Sequence, residues 1–258
     1  NEPPGSDTHF VIRSTAMMGS DMNTSLRRST TMDPARRRWF QTLFHCTALM
    51  CLASAASAAQ SQTPVAALAH AAQAGKPPRH TVLVVGDSLS AEYGLKRGSG
   101  WVALLEQRLF KEQVSARVIN ASISGDTTSG GLSRLPALLK QHRPTLVVLE
   151  LGGNDGLRGL PLVDAQRNLA QMAQAAKSAG ARVLVVGVQI PPNYGRRYND
   201  ELAEMFVSVA RTEGAALVPF LMKDVPDEQY QADRIHPMEV GHPTMLANVW
   251  PALKPLLR

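Results

Sequence analysis

Three side chains have the types and the spacing of a nucleophile with the two groups that activate it. Ser88 lies in the run Gly86-Asp-Ser-Leu-Ser90 directly after an apolar segment, and Asp233 precedes His236 by three residues in a turn that Pro237 ends. A serine hydroxyl becomes a nucleophile when a histidine accepts its proton and a carboxylate orients that histidine. The pattern therefore predicts acyl transfer through Ser88, although a serine after a strand also fits the plain role of a helix cap.

Attack on a carbonyl carbon also requires hydrogen-bond donors for the oxyanion that forms. The backbone N–H groups of Ser88 and Gly125 and the side-chain amide of Asn154 are the natural set, because each follows a different predicted strand. Glycine at position 125 lets the backbone come close to a ligand. Glycines are also common in ordinary tight turns, but their coincidence with polar side chains after three successive strands favours an oxyanion site.

Short apolar segments that alternate with longer amphipathic ones predict an α/β protein with a parallel sheet. The predicted strands are rich in Val and Leu without strict alternation, as expected for strands covered on both faces. They span Thr81–Gly86, Ala116–Asn120, Leu146–Leu151, Arg182–Val188 and Ala216–Phe220. The predicted helices span Gly100–Lys111, Thr127–Gln141, Val163–Ala179, Asp200–Glu213 and Glu239–Leu257. We expect a three-layer α/β/α sandwich with a five-stranded parallel sheet, whose chemistry gathers where the strands end.

The first 59 residues predict a leader and a signal peptide. Arginines at 36–38 precede an apolar stretch from Trp39 to Leu52, and an Ala/Ser tract with several A-x-A cleavage sites follows. The apolar stretch is shorter than the roughly 20 residues of a membrane-spanning helix. We therefore expect export to the periplasm or the medium with cleavage near Ala59, and an uncleaved membrane anchor is the alternative. Residues 60–79 predict a flexible linker, and residues 80–258 the folded domain.

Composition and motifs exclude several other classes of chemistry. Cys46 and Cys51 both fall inside the predicted signal peptide, so the mature protein is expected to have no disulfide and no thiol nucleophile. The formal net charge is +6, but the basic residues form no stripe for nucleic acid. No phosphate-binding loop follows the first strand, and no H-x-H or H-E-x-x-H motif occurs. We expect neither a cofactor nor a metal ion, and Asp87, Asp126 and Asp155 are predicted to hold loops through hydrogen bonds.

Four polar segments of the sequence, taken in chain order, resemble the four sequence blocks of the GDSL or SGNH hydrolases. That family has a flavodoxin-like sandwich fold. The matching blocks are Gly86-Asp-Ser-Leu-Ser90, Gly125, Gly153-Asn-Asp155 and Asp233-Arg-Ile-His236. Longer runs look like the periplasmic multifunctional subgroup of acyl-CoA thioesterases, lysophospholipases and arylesterases. These runs include Asn120-Ala-Ser-Ile-Ser-Gly-Asp-Thr127 and Glu150-Leu-Gly-Gly-Asn-Asp-Gly-Leu-Arg158. The resemblance extends from about Thr81 to the C-terminus.

The resemblance implies a role for each residue of these blocks. Ser88 would be the nucleophile, His236 the base and then the acid, and Asp233 the group that orients His236. The oxyanion hole would be formed by Ser88, Gly125 and Asn154. A mobile loop at about 192–198 would fold over bound acyl chains. The implied substrate contacts are Asp87, Leu89, Asp155, Pro192, Asn193 and Tyr194.

One position departs from the pattern of the subgroup, which usually has glycine where this chain has Arg234. If that position needs a positive φ, arginine would cost about 1 kcal/mol or more and strain the turn that carries Asp233. We expect activity to survive this departure, because the side chains on either side of it are those of the family.

We therefore expect a monomeric serine hydrolase that cleaves acyl esters, thioesters or lysophospholipids through an acyl-enzyme intermediate. It is predicted to bind no nucleic acid and to have no stable membrane insertion once the signal peptide is removed. Two alternatives stay open: a carbohydrate acetylesterase, and a non-catalytic exported module that binds lipid or glycan on the same fold. The acyl chain length that the protein accepts separates the first alternative, and covalent labelling of Ser88 separates the second.

Overall fold

The computed structural model describes residues 77–258. The predicted leader and signal peptide, residues 1–59, and most of the predicted linker lie outside the described residues. Strands β1 to β5 span His80–Gly86, Ala116–Asn120, Leu146–Glu150, Arg182–Val186 and Ala216–Val218. Helices α1 to α6 of this part of the chain span Trp101–Lys111, Thr128–His142, Gly153–Leu157, Leu162–Ser178, Arg196–Glu213 and His242–Leu253.

The strands form one parallel sheet in the order β2-β1-β3-β4-β5. Val82 of β1 lies opposite Val118 of β2 on one side and Leu146 of β3 on the other, which sets the register of the three strands. Strand β3 is buried along its whole length, because helices cover both of its faces. The predicted five-stranded parallel sheet is therefore confirmed, and the carboxyl ends of β1, β2 and β3 lie side by side.

The helices lie on both faces of the sheet, as right-handed crossovers require. The connection from β1 to β2 runs in one direction along the sheet and the later connections run in the other. Helix α1 therefore lies on one face, and α2, α4 and α5 lie on the opposite face. Helix α2 packs against α4 and α4 against α5, while α1 packs against α6. This arrangement is the predicted three-layer sandwich.

Helix α2 shows how the local sequence positions one element of the site. The hydroxyl of Thr127 accepts from the backbone N–H of Gly130 at 3.4 Å, which caps the start of the helix. Leu135 and Leu139 are buried, and Leu132 and Leu138 pack at the edge of the same core, so these leucines form one apolar stripe along the helix. The cap and the stripe together place the loop before α2 at the carboxyl edge of the sheet.

Three helical segments differ from the prediction, and one of them is α5, which begins at Arg196 and not at Asp200. Helix α3 was not predicted, because a helix of five residues is too short to show a hydrophobic period. The predicted last helix is shorter than expected, since single 3₁₀ turns at Glu239–Gly241 and Lys254–Leu257 flank α6. Within residues 77–258, no helix has the length and the apolar character needed to cross a membrane.

Candidate active site

The turn after β1 carries Ser88 at the carboxyl edge of the sheet. Its hydroxyl oxygen lies 2.7 Å from Nε2 of His236, and the residue is half-buried. Residues 88–94 form turns, and the next helix begins only at Trp101 with Gly100 as its N-cap, so Ser88 does not cap this helix.

The imidazole of His236 is oriented by Asp233, three residues earlier in the chain. Nδ1 of the ring lies 2.7 Å from Oδ2 of Asp233, and Oδ1 accepts from the backbone N–H groups of Ile235 at 2.9 Å and His236 at 3.0 Å. Burial alone would raise the pKa of Asp233, but these backbone hydrogen bonds and the imidazole lower the pKa below its usual value. The carboxylate therefore stays ionised, keeps the ring proton on Nδ1 and leaves the lone pair of Nε2 facing Ser88.

The three predicted oxyanion donors all have an N–H that the described residues leave free. The backbone N–H groups of Ser88 and Gly125 donate to no acceptor within residues 77–258. Gly125 has φ +78°, which glycine adopts without strain, and its carbonyl accepts from Nη2 of Arg158 at 2.7 Å. The amide of Asn154 donates to Oδ2 of Asp87 at 3.0 Å, which leaves its second hydrogen for a ligand.

Two buried carboxyl groups support the nucleophile turn. Asp87, which is 2% exposed, accepts from Leu89 N–H and from Asn154, and burial raises its pKa to about 6. Glu150 is fully buried, and Oε2 accepts from the Ser90 hydroxyl at 2.6 Å. Burial first, and then the charge of Asp87, raise the pKa of Glu150 well above its usual value. Burial and the neighbouring carboxyl group therefore favour the protonated form of Glu150, while Asp87 holds Asn154 through the hydrogen bond at 3.0 Å.

A cavity of about 250 Å³ opens beside Ser88 and His236. Its wall is mainly apolar and includes Leu89, Leu157, Val188, Ile190, Pro191, Phe220, Met222, Tyr230 and Ile235. Apolar walls bind hydrocarbon by removing it from water, so the cavity suits an acyl chain. A chain bound here would present its carbonyl carbon to the hydroxyl of Ser88.

The sequence of the described domain matches that of a known enzyme family. The model of the GDSL-like lipase/acylhydrolase family matches residues 84–243. The chain belongs to this family. The match begins inside β1, the strand that precedes Ser88, and reaches past His236, so it includes both ends of the site.

The relatives of this chain include esterases and a thioesterase. Esterase TesA of Pseudomonas aeruginosa is 56% identical over 179 residues, which are 69% of this chain and 89% of the relative. Thioesterase 1/protease 1/lysophospholipase L1 of Escherichia coli is 43% identical over 179 residues, 69% of this chain and 85% of the relative. A solved structure with a similar fold is that of psychrotrophic esterase EstA from Pseudoalteromonas sp., inhibited by monoethylphosphonate. Its sequence is 40% identical and its TM-score is 0.66, and the match covers 69% of this chain and 98% of that chain. The predicted family and fold are confirmed.

Three aspartates hold the loops of the lipase/acylhydrolase site, as predicted. Asp87 bonds to the amide described above, and Asp126 accepts from Nε of Arg134 at 2.8 Å. Asp155 accepts from both the N–H and the hydroxyl of Thr128, at 2.9 and 2.6 Å. Asp155 is buried and does not line the cavity, and its implied contact with the substrate stays a prediction.

The other implied substrate contacts lie at or next to the cavity. Asp87 and Leu89 line its wall. Pro192, Asn193 and Tyr194 form an exposed 3₁₀ turn just after Pro191, and the Tyr194 hydroxyl donates to the carbonyl of Leu157, which is part of the wall. Contact between this turn and an acyl chain stays a prediction.

Arg234 has φ +58°, so the backbone conformation that favours glycine is present at the position where this chain departs from the family subgroup. The hydrogen bonds of Asp233 and the contact between His236 and Ser88, described above, are present despite this conformation. We expect Arg234→Gly to raise the free energy of unfolding by about 0.5–1 kcal/mol, since a side chain in this conformation costs more than the extra flexibility of glycine.

Chemical denaturation of the wild type and Arg234→Gly measures this change. Arg234→Ala is the matched control, because it removes the guanidinium but keeps a Cβ in the same conformation. If the free energy of unfolding rose equally in both variants, the loss of the charge and not the backbone conformation would explain the increase.

We expect Asn154→Ala to lower kcat by about 10²–10³-fold, the effect of removing one oxyanion donor. Steady-state hydrolysis of p-nitrophenyl butanoate measures it. Asn168→Ala is the matched control, because the Asn168 amide bonds to Thr128 away from the cavity and its loss should change kcat less than threefold. A loss below tenfold in Asn154→Ala, with unfolding unchanged, would remove Asn154 from the oxyanion hole.

Proposed function

We propose that this protein hydrolyses acyl esters and thioesters through an acyl-serine intermediate. One observation carries the proposal: Ser88 Oγ, the imidazole of His236 and the carboxylate of Asp233 are linked by two contacts of 2.7 Å beside an apolar cavity. A serine linked in this way to an oriented histidine is the arrangement of an activated nucleophile. Two relatives are named as an esterase and a thioesterase, which supports the same chemistry.

The residues of the site supply each step of the reaction. His236 takes the proton of Ser88 as Oγ attacks the carbonyl carbon, and a tetrahedral intermediate forms. Its oxyanion accepts hydrogen bonds from Ser88 N–H, Gly125 N–H and the Asn154 amide. Protonated His236, stabilised by Asp233, then gives its proton to the departing alcohol or thiol, and the acyl-enzyme remains. Water repeats the sequence, so that the acid is released and Ser88 regains its proton.

The cavity favours substrates with an acyl chain over acetylated sugars. An acetyl group would leave most of the 250 Å³ unfilled, whereas a longer chain would bury apolar surface against the wall. Arylesters, acyl-CoA thioesters and lysophospholipids share this acyl chain and differ in the group that leaves. We therefore propose an enzyme of the arylesterase, thioesterase and lysophospholipase type.

A fluorophosphonate probe tests whether Ser88 is the nucleophile. The wild type and Ser133→Ala, which changes an exposed serine of α2, should be labelled, and Ser88→Ala should not. Equal labelling of Ser88→Ala would refute the proposal, and a wild type that resists labelling would favour the binding-module alternative.

A series of p-nitrophenyl esters and acyl-CoA substrates tests which acyl groups the protein accepts. Hydrolysis of acetyl esters alone would favour the acetylesterase.

We also propose that residues 1–59 direct export and that the mature enzyme is a monomer in the periplasm or the medium. The arginines, the apolar stretch and the Ala/Ser tract of the sequence support the export signal. Amino-terminal sequencing of protein recovered from the periplasm of an expressing bacterium should begin near Gln60. Recovery of the uncleaved chain in the membrane fraction would contradict this proposal.

A further inference from the structure

The ring of Tyr93 packs against the imidazole of His236 on the solvent side of the site. The two ring centroids are 4.6 Å apart and the planes are tilted by 42°. Tyr93 is 51% exposed, while the His236 side chain is only 16% exposed. Half of the tyrosine surface is thus open to a ligand next to the imidazole that contacts Ser88. No local sequence pattern marks Tyr93.

Hydrogen bonds join the backbone of Tyr93 directly to the backbone of Ser88 and, through Gln231, to the backbone of His236. Its N–H donates to the Ser88 carbonyl at 3.4 Å, and its carbonyl accepts from Nε2 of Gln231 at 3.0 Å. Gln231 in turn donates its backbone N–H to the carbonyl of His236 at 2.8 Å. The preceding residue, Glu92, has φ +61° and accepts from two N–H groups of the following loop. The tyrosine is therefore placed with respect to the nucleophile and the base together.

The position of Tyr93 relative to the cavity assigns it to one part of the substrate. The wall of the cavity includes Ser88 and His236 but not Tyr93. If the acyl chain fills the cavity, the leaving oxygen or sulfur must lie near Nε2 of His236, since this nitrogen gives it a proton. The group attached to that atom then extends out of the cavity, towards the exposed aromatic surface beside the imidazole.

We propose that Tyr93 binds the leaving group and favours substrates whose leaving group is a planar aromatic ring. The inference rests on the proposed function and deepens it. Aromatic pairs attract more strongly than their buried area alone explains. The ring therefore contributes to acylation by aryl esters, and it has no role in deacylation because the leaving group has then departed. Tyr93 is in this sense a specificity-determining residue.

Two butanoate esters that differ in the shape of the leaving group provide the test. We expect Tyr93→Leu to lower kcat/KM for phenyl butanoate by about three- to tenfold more than for cyclohexyl butanoate, the effect of one aromatic pair. Tyr93→Phe keeps the ring and should keep the wild-type ratio. Phe110→Leu is the matched control, because Phe110 is a similarly exposed aromatic at the end of α1 and its loss should not change the ratio.

A purely structural role for Tyr93 would give a different result. If the ring only positions His236, Tyr93→Leu would lower kcat/KM for both esters by the same factor and would slow hydrolysis of the common butanoyl-enzyme as well. Equal losses with the two esters, or no loss with either, would overturn the inference. Tyr93→Met serves as a second aliphatic variant should Tyr93→Leu fail to fold. A wild type that no fluorophosphonate labels would instead refute the proposed function itself.

Discussion

Replacing His236 with alanine is expected to lower kcat on the order of 10⁶-fold, the loss seen when the base of a serine hydrolase is removed. Nε2 is the group within hydrogen-bond reach of the Ser88 hydroxyl, at 2.7 Å, and without it a hydroxyl of ordinary pKa must attack unaided. The same nitrogen supplies the proton to the leaving group. Both acylation and deacylation therefore fail in this variant.

Single-turnover and steady-state hydrolysis of p-nitrophenyl butanoate measure this loss. His142→Ala is the matched control, because His142 ends α2 and touches no part of the site, and its kcat should stay within twofold of the wild type. Thermal unfolding of both variants checks that the fold is intact. If His236→Ala retained more than one hundredth of the wild-type kcat, another group would have to be the base.

We expect Asp233→Asn to lower kcat by about 10⁴-fold although the side chain keeps its size. Oδ1 of Asp233 accepts from two backbone N–H groups, so the amide oxygen of asparagine takes that place and its NH₂ faces Nδ1 of His236. Nδ1 must then accept a hydrogen bond, and the ring proton moves to Nε2. A ring with its proton on Nε2 cannot accept the proton of Ser88.

The control for this variant is Asp164→Asn, which changes an exposed aspartate paired with Arg167 on the surface of α4. Its kcat should equal that of the wild type. The double variant of His236→Ala and Asp233→Asn should be no slower than His236→Ala alone, because both changes remove the same proton transfer. Additive losses would mean that Asp233 acts independently of the imidazole.

The sheet was largely predictable because its strands are buried on both faces. A strand covered by helices consists of Val and Leu without alternation, and this pattern located all five strands of the described domain within a few residues. The ends of β4 and β5 were placed two residues too late. Strand β5 ends at Val218 because the next residue, Pro219, has no N–H with which to continue the ladder. The Val218 carbonyl accepts from the N–H of Gly187, the residue that follows β4.

The positions of the proposed catalytic residues were also predictable, since parallel strands bring their carboxyl ends to one edge. Ser88, Asp233 and His236 lie together as expected, and Arg234 has the positive φ that its position suggested. Local spacing was sufficient for these residues, because each belongs to a turn with a recognisable composition.

Supporting residues were missed where the contact joins distant parts of the chain. Tyr93 meets His236 only through the tertiary fold, and no local pattern marks it. Asp155 follows a glycine turn as Asp87 does, but its hydrogen-bond partner, Thr128, belongs to a distant helix, and no local pattern indicates this partner. Glu150 did leave a signal, since it is a charged residue in a strand that is otherwise Leu and Val. A lone acid in such a strand predicts a buried hydrogen-bonded group.

Ser88 and His236 are 148 residues apart along the chain, and this separation determines when the protein acquires its chemistry. The serine is made early and the imidazole late during synthesis, and loop closure over such a distance comes late in folding. A chain whose synthesis has not yet reached His236 therefore has the proposed nucleophile without its base. The proposed activity arises in one step, when the domain is complete.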